Sequence, residues 1–465
     1  MPFFVRDHAS GEITIENMGV CMKRYALVFI VFLSVAYLTT PASANEAIAT
    51  TETCSALPSS SSSDDYYISD CQTVGSGTYT YQYLHVVNGG KLIFNDDGGA
   101  INFNAKSILV EQGGSIKAGS YDVPFGTAGG KLIIGLYGAG PSNIATNPNP
   151  DYSPIGCQND TCYDSSRVGK GCLNSGTFNP ADPCQAILAT DHSQDNSYFE
   201  GYAAGQDGDN SIFGYKVFAV SYGGSLELFG SKGVAAQFRT DPSIRTATCP
   251  VPAAANQNDI TQWAALTGNS WARAGASSAG TTLTLDRAVD WAPGDQLIVG
   301  TTDWSASHSE LASVSAVDTT KTIATLNTAL QYPHNGSAYT VPSALLTSTG
   351  NPNGQVENRA AIGLLTRSIT IQSLGATATD PFPASANCAA AANNPDCYFG
   401  AQMMVRQGFA KFQVQGVEFH QMGQGGRMGR YPVHFHMVKD ASYTNAFVKD
   451  SSIWESNTRF VVVHA

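Results

Sequence analysis

A phrase built on a glycine pair recurs along this chain and narrows the folds open to it. It reads Gly89-Gly90-Lys91-Leu92, Gly113-Gly114-Ser115-Ile116, Gly129-Gly130-Lys131-Leu132 and Gly223-Gly224-Ser225-Leu226. The pairs follow short apolar runs such as Leu84-His85-Val86-Val87 and Ile108-Leu109-Val110, and lead into others such as Leu132-Ile133-Ile134. Glycine reaches positive φ without steric penalty, so each pair permits a sharp turn between strands. The first three phrases lie 24 and 16 residues apart, the scale of one coil of a β-solenoid. Tandem hairpins with one wet face would alternate apolar with polar residues, whereas several of these runs are continuously apolar. Only 13% of residues are charged and 46 are Gly, which fits stacked strands and tight turns better than a helical bundle.

The N-terminus reads as an address. Lys23 and Arg24 form a basic region, Tyr25 to Leu38 an apolar one, and Ala42-Ser43-Ala44 a cleavage site, so residues 22–44 are expected to be a signal peptide. Fourteen apolar-biased residues fall short of the ~20 that span a bilayer. No stable membrane span is therefore expected after leader removal. Ten cysteines agree with export. Nine remain once Cys21 leaves with the leader, and they cluster as Cys54 and Cys71, then Cys157, Cys162, Cys172 and Cys184, then Cys388 and Cys397, with Cys249 left over. The four-Cys cluster lacks the C-x2-C spacing of a zinc site. A formal charge of −12 speaks against a nucleic-acid partner.

The chain divides by pattern. Residues 45–70 form a flexible Ser-, Thr- and Asp-rich linker, and 71–235 a glycine-paired β domain with a Cys-rich insertion at 141–214. Residues 236–350 form a β-rich connecting segment. The solenoid pattern returns over 351–465 and ends in mid-strand, as if truncated. Val414 and Val448 begin similar phrases 34 residues apart.

The Gly-pair strands of residues 75–231 resemble the G8 domain. The downstream run resembles the parallel β-helix of the cell-migration-inducing hyaluronan-binding proteins and transmembrane protein 2, and fibrocystin-like proteins share both parts. The phrases that carry the resemblance are SYGGSLELFG at 221–230, VDWAPGDQLIVGTTDW at 289–304, NRAAIGLLTRSITI at 358–371 and VEFHQMGQGGRMGRYPVHFHMVKD at 417–440. It implies an all-β chain: a right-handed parallel β-helix (solenoid) with an N-terminal G8-type β domain. Some members bind or depolymerise hyaluronan and others are receptors or structural proteins, so a glycan connection is implied and catalysis is left open. Phe229 stands where the family usually has His, and Ala465 where it usually has Gly.

His434 and His436 are the sharpest chemical feature. Residues i and i+2 of a strand share a face, so both imidazoles project together and suit a proton relay, a sugar hydroxyl or a divalent metal. A buried pair bonded to backbone carbonyls is the structural alternative. His420 and His464 could stack nearby. Glycoside hydrolysis needs two carboxyl groups about 5–9.5 Å apart, and Asp440 is the first choice for acid. Residues 401–465 carry seven basic and four acidic side chains, a local +3. Arg427, Arg430, Arg459 and Glu418 are the expected substrate contacts, with the guanidinium groups of Arg427 and Arg430 matching a uronate carboxylate. The expected function is that of a secreted or cell-surface protein that binds an acidic polysaccharide such as hyaluronan, with endo-glycosidase cleavage left open. The alternative is a non-catalytic adhesion or structural protein.

Overall fold

The computed structural model describes residues 53–139 (64 excepted), 213–234, 270–340 (277 excepted), 355–383, 395–425, 429–436, 438 and 445–464. The expected leader, the Cys157–Cys184 cluster, Cys249, Cys388, Arg427 and Asp440 lie outside them. The described residues are strands and turns, with short 3₁₀ turns at Ala306–His308 and Pro395–Tyr398.

The strands coil into a parallel β-helix with three faces. Face one stacks Ser55–Ala56, Cys71–Val74, Lys91–Phe94, Ser115–Ala118, Ser225–Phe229, Lys411–Gln415 and Ala446–Lys449 as a seven-stranded sheet. Faces two and three belong to one sheet, because the long strands Gly77–Val86 and Ala100–Val110 bend around the corner between them. Ala100–Ala105 lies on face two beside Lys131–Leu136, followed by Ile369–Ser373, Val417–His420 and Ser452–Trp454. Ile108–Val110 lies on face three beside Val217–Val220, followed by Gln402–Arg406, Val433–His436 and Val461–His464. All of these pairings are parallel.

Alternate residues point inward and stack by type. Leu92, Ile116, Leu226 and Phe412 form one column of face one, each no more than 1% exposed. Phe103, Ile134, Ile371 and Phe419 do the same on face two, and Val86, Val110, Val220 and Val405 on face three. Each such side chain contributes about 1.5–3 kcal/mol on full burial. Val414 pairs directly with Val448, so the 34-residue phrase seen in the sequence is one coil.

Three of the four glycine pairs turn the same corner, from face three to face one. At Gly89, Gly113 and Gly223 φ is +78°, +79° and +69°. The pair at Gly129-Gly130 turns a different corner, where Asp96 takes up the Gly126, Ala128 and Gly130 amides.

The chain leaves the coil after Phe229 and re-enters at Ile369. Within this excursion lies a six-stranded sheet, wholly antiparallel, ordered Trp271–Arg273, Ala361–Leu364, Gln296–Val299, Glu310–Val317, Ile323–Leu326, Thr282–Thr284. Its inner side packs on Trp291, Leu297, Val299, Val314 and Ile362. Strands on either side of the excursion pair with one another: Ser115–Ala118 with Ser225–Phe229 and then Lys411–Gln415, and Lys131–Leu136 with Ile369–Ser373. The glycine-rich coils and the C-terminal coils are one continuous solenoid. A disulfide joins Cys54 to Cys71 at its N-terminal end, and Cys397 is also disulfide-bonded.

Candidate functional site

Strand alternation decides which side chains leave face three. Val433 and Phe435 enter the core, so His434 and His436 point outward, with ring centroids 5.0 Å apart and planes at 65°. Register then supplies their neighbours. Arg406 pairs with His436 and Met404 with His434. One and two rungs further back, Val220 pairs with Val405 and Val110, which brings Ser221 and Glu111 into the row of Arg406. With ~4.8 Å between rungs, Glu111, Ser221, Arg406 and His436 form a line of about 14 Å. On the far side the backbone of His464 pairs with His436. His420 is on face two instead, where its ring stacks on Trp454 at 4.0 Å and its Nε2 meets Glu455 Oε2 at 3.0 Å.

Glu111, Ser221 and His436 of the row are buried. Phe213–Tyr215 runs beside the row, over the neighbouring outward column of Leu109, Ala219 and Met404, held by three side chains. Gln402 Nε2 donates to the carbonyls of Phe213 and Tyr215 (3.0 and 3.2 Å), Gln424 Nε2 to that of Tyr215 (3.0 Å), and Arg430 Nη1 to that of Phe213 (2.6 Å). Phe213 joins Tyr83, Leu109, Val217, Ala219 and Met404 in a small apolar cluster outside the sheet. The Arg406 guanidinium lies 5.6 Å from the Phe213 ring centre. His434 Nδ1 donates to the Gly429 carbonyl at 2.8 Å, which leaves Nε2 as the acceptor of the neutral ring.

Glu111 is the residue that sequence reasoning missed. Its carboxyl is 2% exposed, and burial pushes its pKa up to about 8, against the opposing pull of Arg406. It is therefore a protonated acid at neutral pH, the state a general acid requires. The signal was available. With the corner glycines aligned, the residue two before Gly113, Gly223 and Gly408 is Glu111, Ser221 and Arg406, so one alignment writes out the row. A consequence for stability follows. The folded state holds the Glu111 proton above the ordinary value of 4.5, so this stabilisation is complete below 4.5 and is lost as pH rises through about 8. Chemical unfolding of wild type and Glu111→Gln at pH 5 and pH 8 should show a fall for wild type that is smaller in the variant.

The other expected contacts are placed differently. Arg430 is 1% exposed and braces the Phe213–Tyr215 segment, and its enclosure keeps the guanidinium from a polymer outside. Glu418 is 4% exposed and accepts from the Arg367 amide (3.2 Å), Thr370 Oγ1 (3.1 Å) and Trp454 Nε1 (2.9 Å) on face two. The Arg459 guanidinium lies 5.9 Å from the Tyr431 ring centre, beside the histidine pair. Arg427 and Asp440 lie outside the described residues. Among the described residues no three His, Cys, Asp or Glu side chains gather as a metal site.

Comparison with known proteins bears on this arrangement. The G8 domain matches residues 51–160 and the CEMIP beta-helix matches residues 398–465. The human cell surface hyaluronidase CEMIP2 is 30% identical over 186 residues, covering 39% of this chain and 12% of that protein. The mouse cell migration-inducing and hyaluronan-binding protein is 29% identical over 192 residues, 39% of this chain and 12% of its own length. Mouse fibrocystin-L is 27% identical over 205 residues, 39% of this chain and 5% of its own. The chain thus matches a small part of each of these relatives.

Proposed function

Starting from a chain that carries a G8 domain and a CEMIP-type β-helix on one continuous solenoid, we propose an extracellular protein that binds an acidic polysaccharide of the hyaluronan type and cleaves it internally. Supporting the ligand class are two relatives whose names state hyaluronidase activity or hyaluronan binding. Supporting the location is the Cys54–Cys71 disulfide. The observation that carries the chemistry is Glu111, a buried carboxyl whose pKa burial raises, in line with Arg406 and His436. In this reading Glu111 protonates the leaving glycosidic oxygen and Arg406 faces a uronate carboxylate. Hydrolysis needs a second carboxylate; with Glu111 as the acid, Asp440, expected from the sequence to be the acid, takes that second role in this reading. Glu111 and His436 are buried, at 2% and 8% exposure, so turnover requires the row to open.

The same burial favours a second reading, in which the row is structural and the protein binds glycan without cutting it. Size-exclusion chromatography of hyaluronan before and after incubation separates the two. Shortened chains with wild type, and a loss of at least about 100-fold in rate with Glu111→Gln, are expected for a general acid. Unshortened chains that nevertheless co-elute with the protein would establish the second reading.

A further inference from the structure

We infer that the outward side of face one is a binding track for an acidic polysaccharide chain, lying along the solenoid axis and separate from the buried row on face three. The inference rests on the ligand class proposed above. It comes from register and alternation. Leu92, Ile116, Leu226 and Phe412 point into the core, so their neighbours point out. Lys91, Ser115, Ser225 and Lys411 fall in one outward column. Lys117, Glu227, Gln413 and Phe447 fall in the next, and Lys449 lies just beyond on the last strand.

Four ammonium groups on this surface thus face one carboxylate among the described outward residues of its strands. Glu227 is shared between Lys117 Nζ at 3.3 Å and Lys411 Nζ at 3.5 Å, so it leaves the track cationic. The whole chain carries −12, which makes the local excess of positive charge stand out. The lysines are accessible: Lys117 is 35% and Lys411 39% exposed, whereas Glu111, Ser221 and His436 on face three are buried. They sit on the second, third, fifth and sixth of the full coils' successive strands, counting Cys71–Val74 as the first before Lys91–Phe94. At ~4.8 Å per strand the charges span about 19 Å, too long for a small anion and suited to carboxylates repeating along a polymer. Phe447 adds an aromatic ledge at one end, with Lys449 Nζ 4.5 Å from its ring centre. A sugar ring can lie against such a face while its carboxylate meets the ammonium.

The experiment uses the full chain and immobilised hyaluronan over a range of salt. Lys91→Gln/Lys117→Gln/Lys411→Gln should weaken binding at least about tenfold and flatten its salt dependence, because each lost charge is a screened long-range attraction. Replacing the same three lysines by Arg should retain binding, and Glu227→Gln should tighten it. The three lysines lie on the surface, so all variants should unfold at the wild-type temperature. Wild-type binding that the triple Gln variant matches in strength and salt dependence would overturn the track while leaving the polysaccharide reading intact. Wild type that binds no hyaluronan at low salt would overturn both.

Discussion

Gly114→Ala is expected to prevent this chain from folding, while Gly89→Ala should cost only about 1–2 kcal/mol. The two belong to the same glycine motif and differ in what surrounds them. Gly89 has φ +78°, and a methyl group there would project into open space. An L-residue then bears only the strain of the left-handed region. At Gly114 a Cβ would land on the Val86 carbonyl oxygen, with the Val86 carbonyl carbon and the Glu111 carbonyl oxygen close behind. Gly90 and Gly224 stand in the same relation to the Ile68 and Val110 carbonyls. Those carbonyls already accept backbone amides of the stack, Val87 on Ile68, Glu111 on Val86 and Ser221 on Val110. A methyl group therefore cannot be accommodated by a side-chain adjustment, and the coil would have to open. Such a change belongs with the exceptional substitutions above about 4–5 kcal/mol. Thermal unfolding of Gly89→Ala, Gly114→Ala and Gly130→Ala measures the contrast. Gly130 should be intermediate, because its obstacle is the Asp96 carboxylate, which can move. Equal losses at Gly89 and Gly114 would contradict the account.

The second large effect is expected at Arg367, a residue with no role in the proposed chemistry. It is 3% exposed at the junction of the inserted sheet with the solenoid. Its Nε donates to the Asp450 carbonyl (2.9 Å) and its Nη1 to those of Leu364 (2.7 Å) and Thr366 (2.9 Å). Burial lowers its pKa to about 10, so it stays charged at neutral pH, aided by Asp450, Glu418, Asp290 and Asp295. Two of these carboxyls belong to the insert and two to the solenoid. Asp290 accepts the Gly233 amide at 3.0 Å, and Asp295 meets Lys232 Nζ at 2.7 Å. Burial already raises the Asp290 and Asp450 pKa values with the cation present. Arg367→Met fills much of the volume but strands those carboxyls, and is expected to cost about 3–5 kcal/mol near neutral pH. The sign with pH is fixed. Carboxyls held above their unfolded pKa destabilise the fold as they ionise, so the deficit should shrink at pH 5. Denaturant unfolding at pH 5 and 7.5 measures it. A deficit independent of pH would place the effect in lost packing instead.

Much of this architecture was legible because short-range sterics and alternation carry it. The glycine pairs mark corners since few other residues can turn there, and the 34-residue spacing of Val414 and Val448 proved to be one coil. The shared face of His434 and His436 followed from strand geometry, as did the proximity of the His436 and His464 backbones. His420 did not join them, because a corner puts it on another face. Gly129-Gly130 looked like a fourth copy of the motif, although an acidic side chain rather than a backbone carbonyl shapes that turn.

The sequence by itself determined the class of fold, the repeat and which residues alternate outward, because those depend on backbone freedom and on the two-residue period of a strand. Only the tertiary structure decided which outward residues meet solvent and which titratable groups meet one another. Glu111 and Arg406 stand nearly three hundred residues apart in the chain and two rungs apart in space, because long excursions leave the coil and return in register. Arg430 and the lysines of face one look alike in sequence as solvated cations. Phe213–Tyr215 encloses the first and leaves the others open, and burial sets what each charge can do.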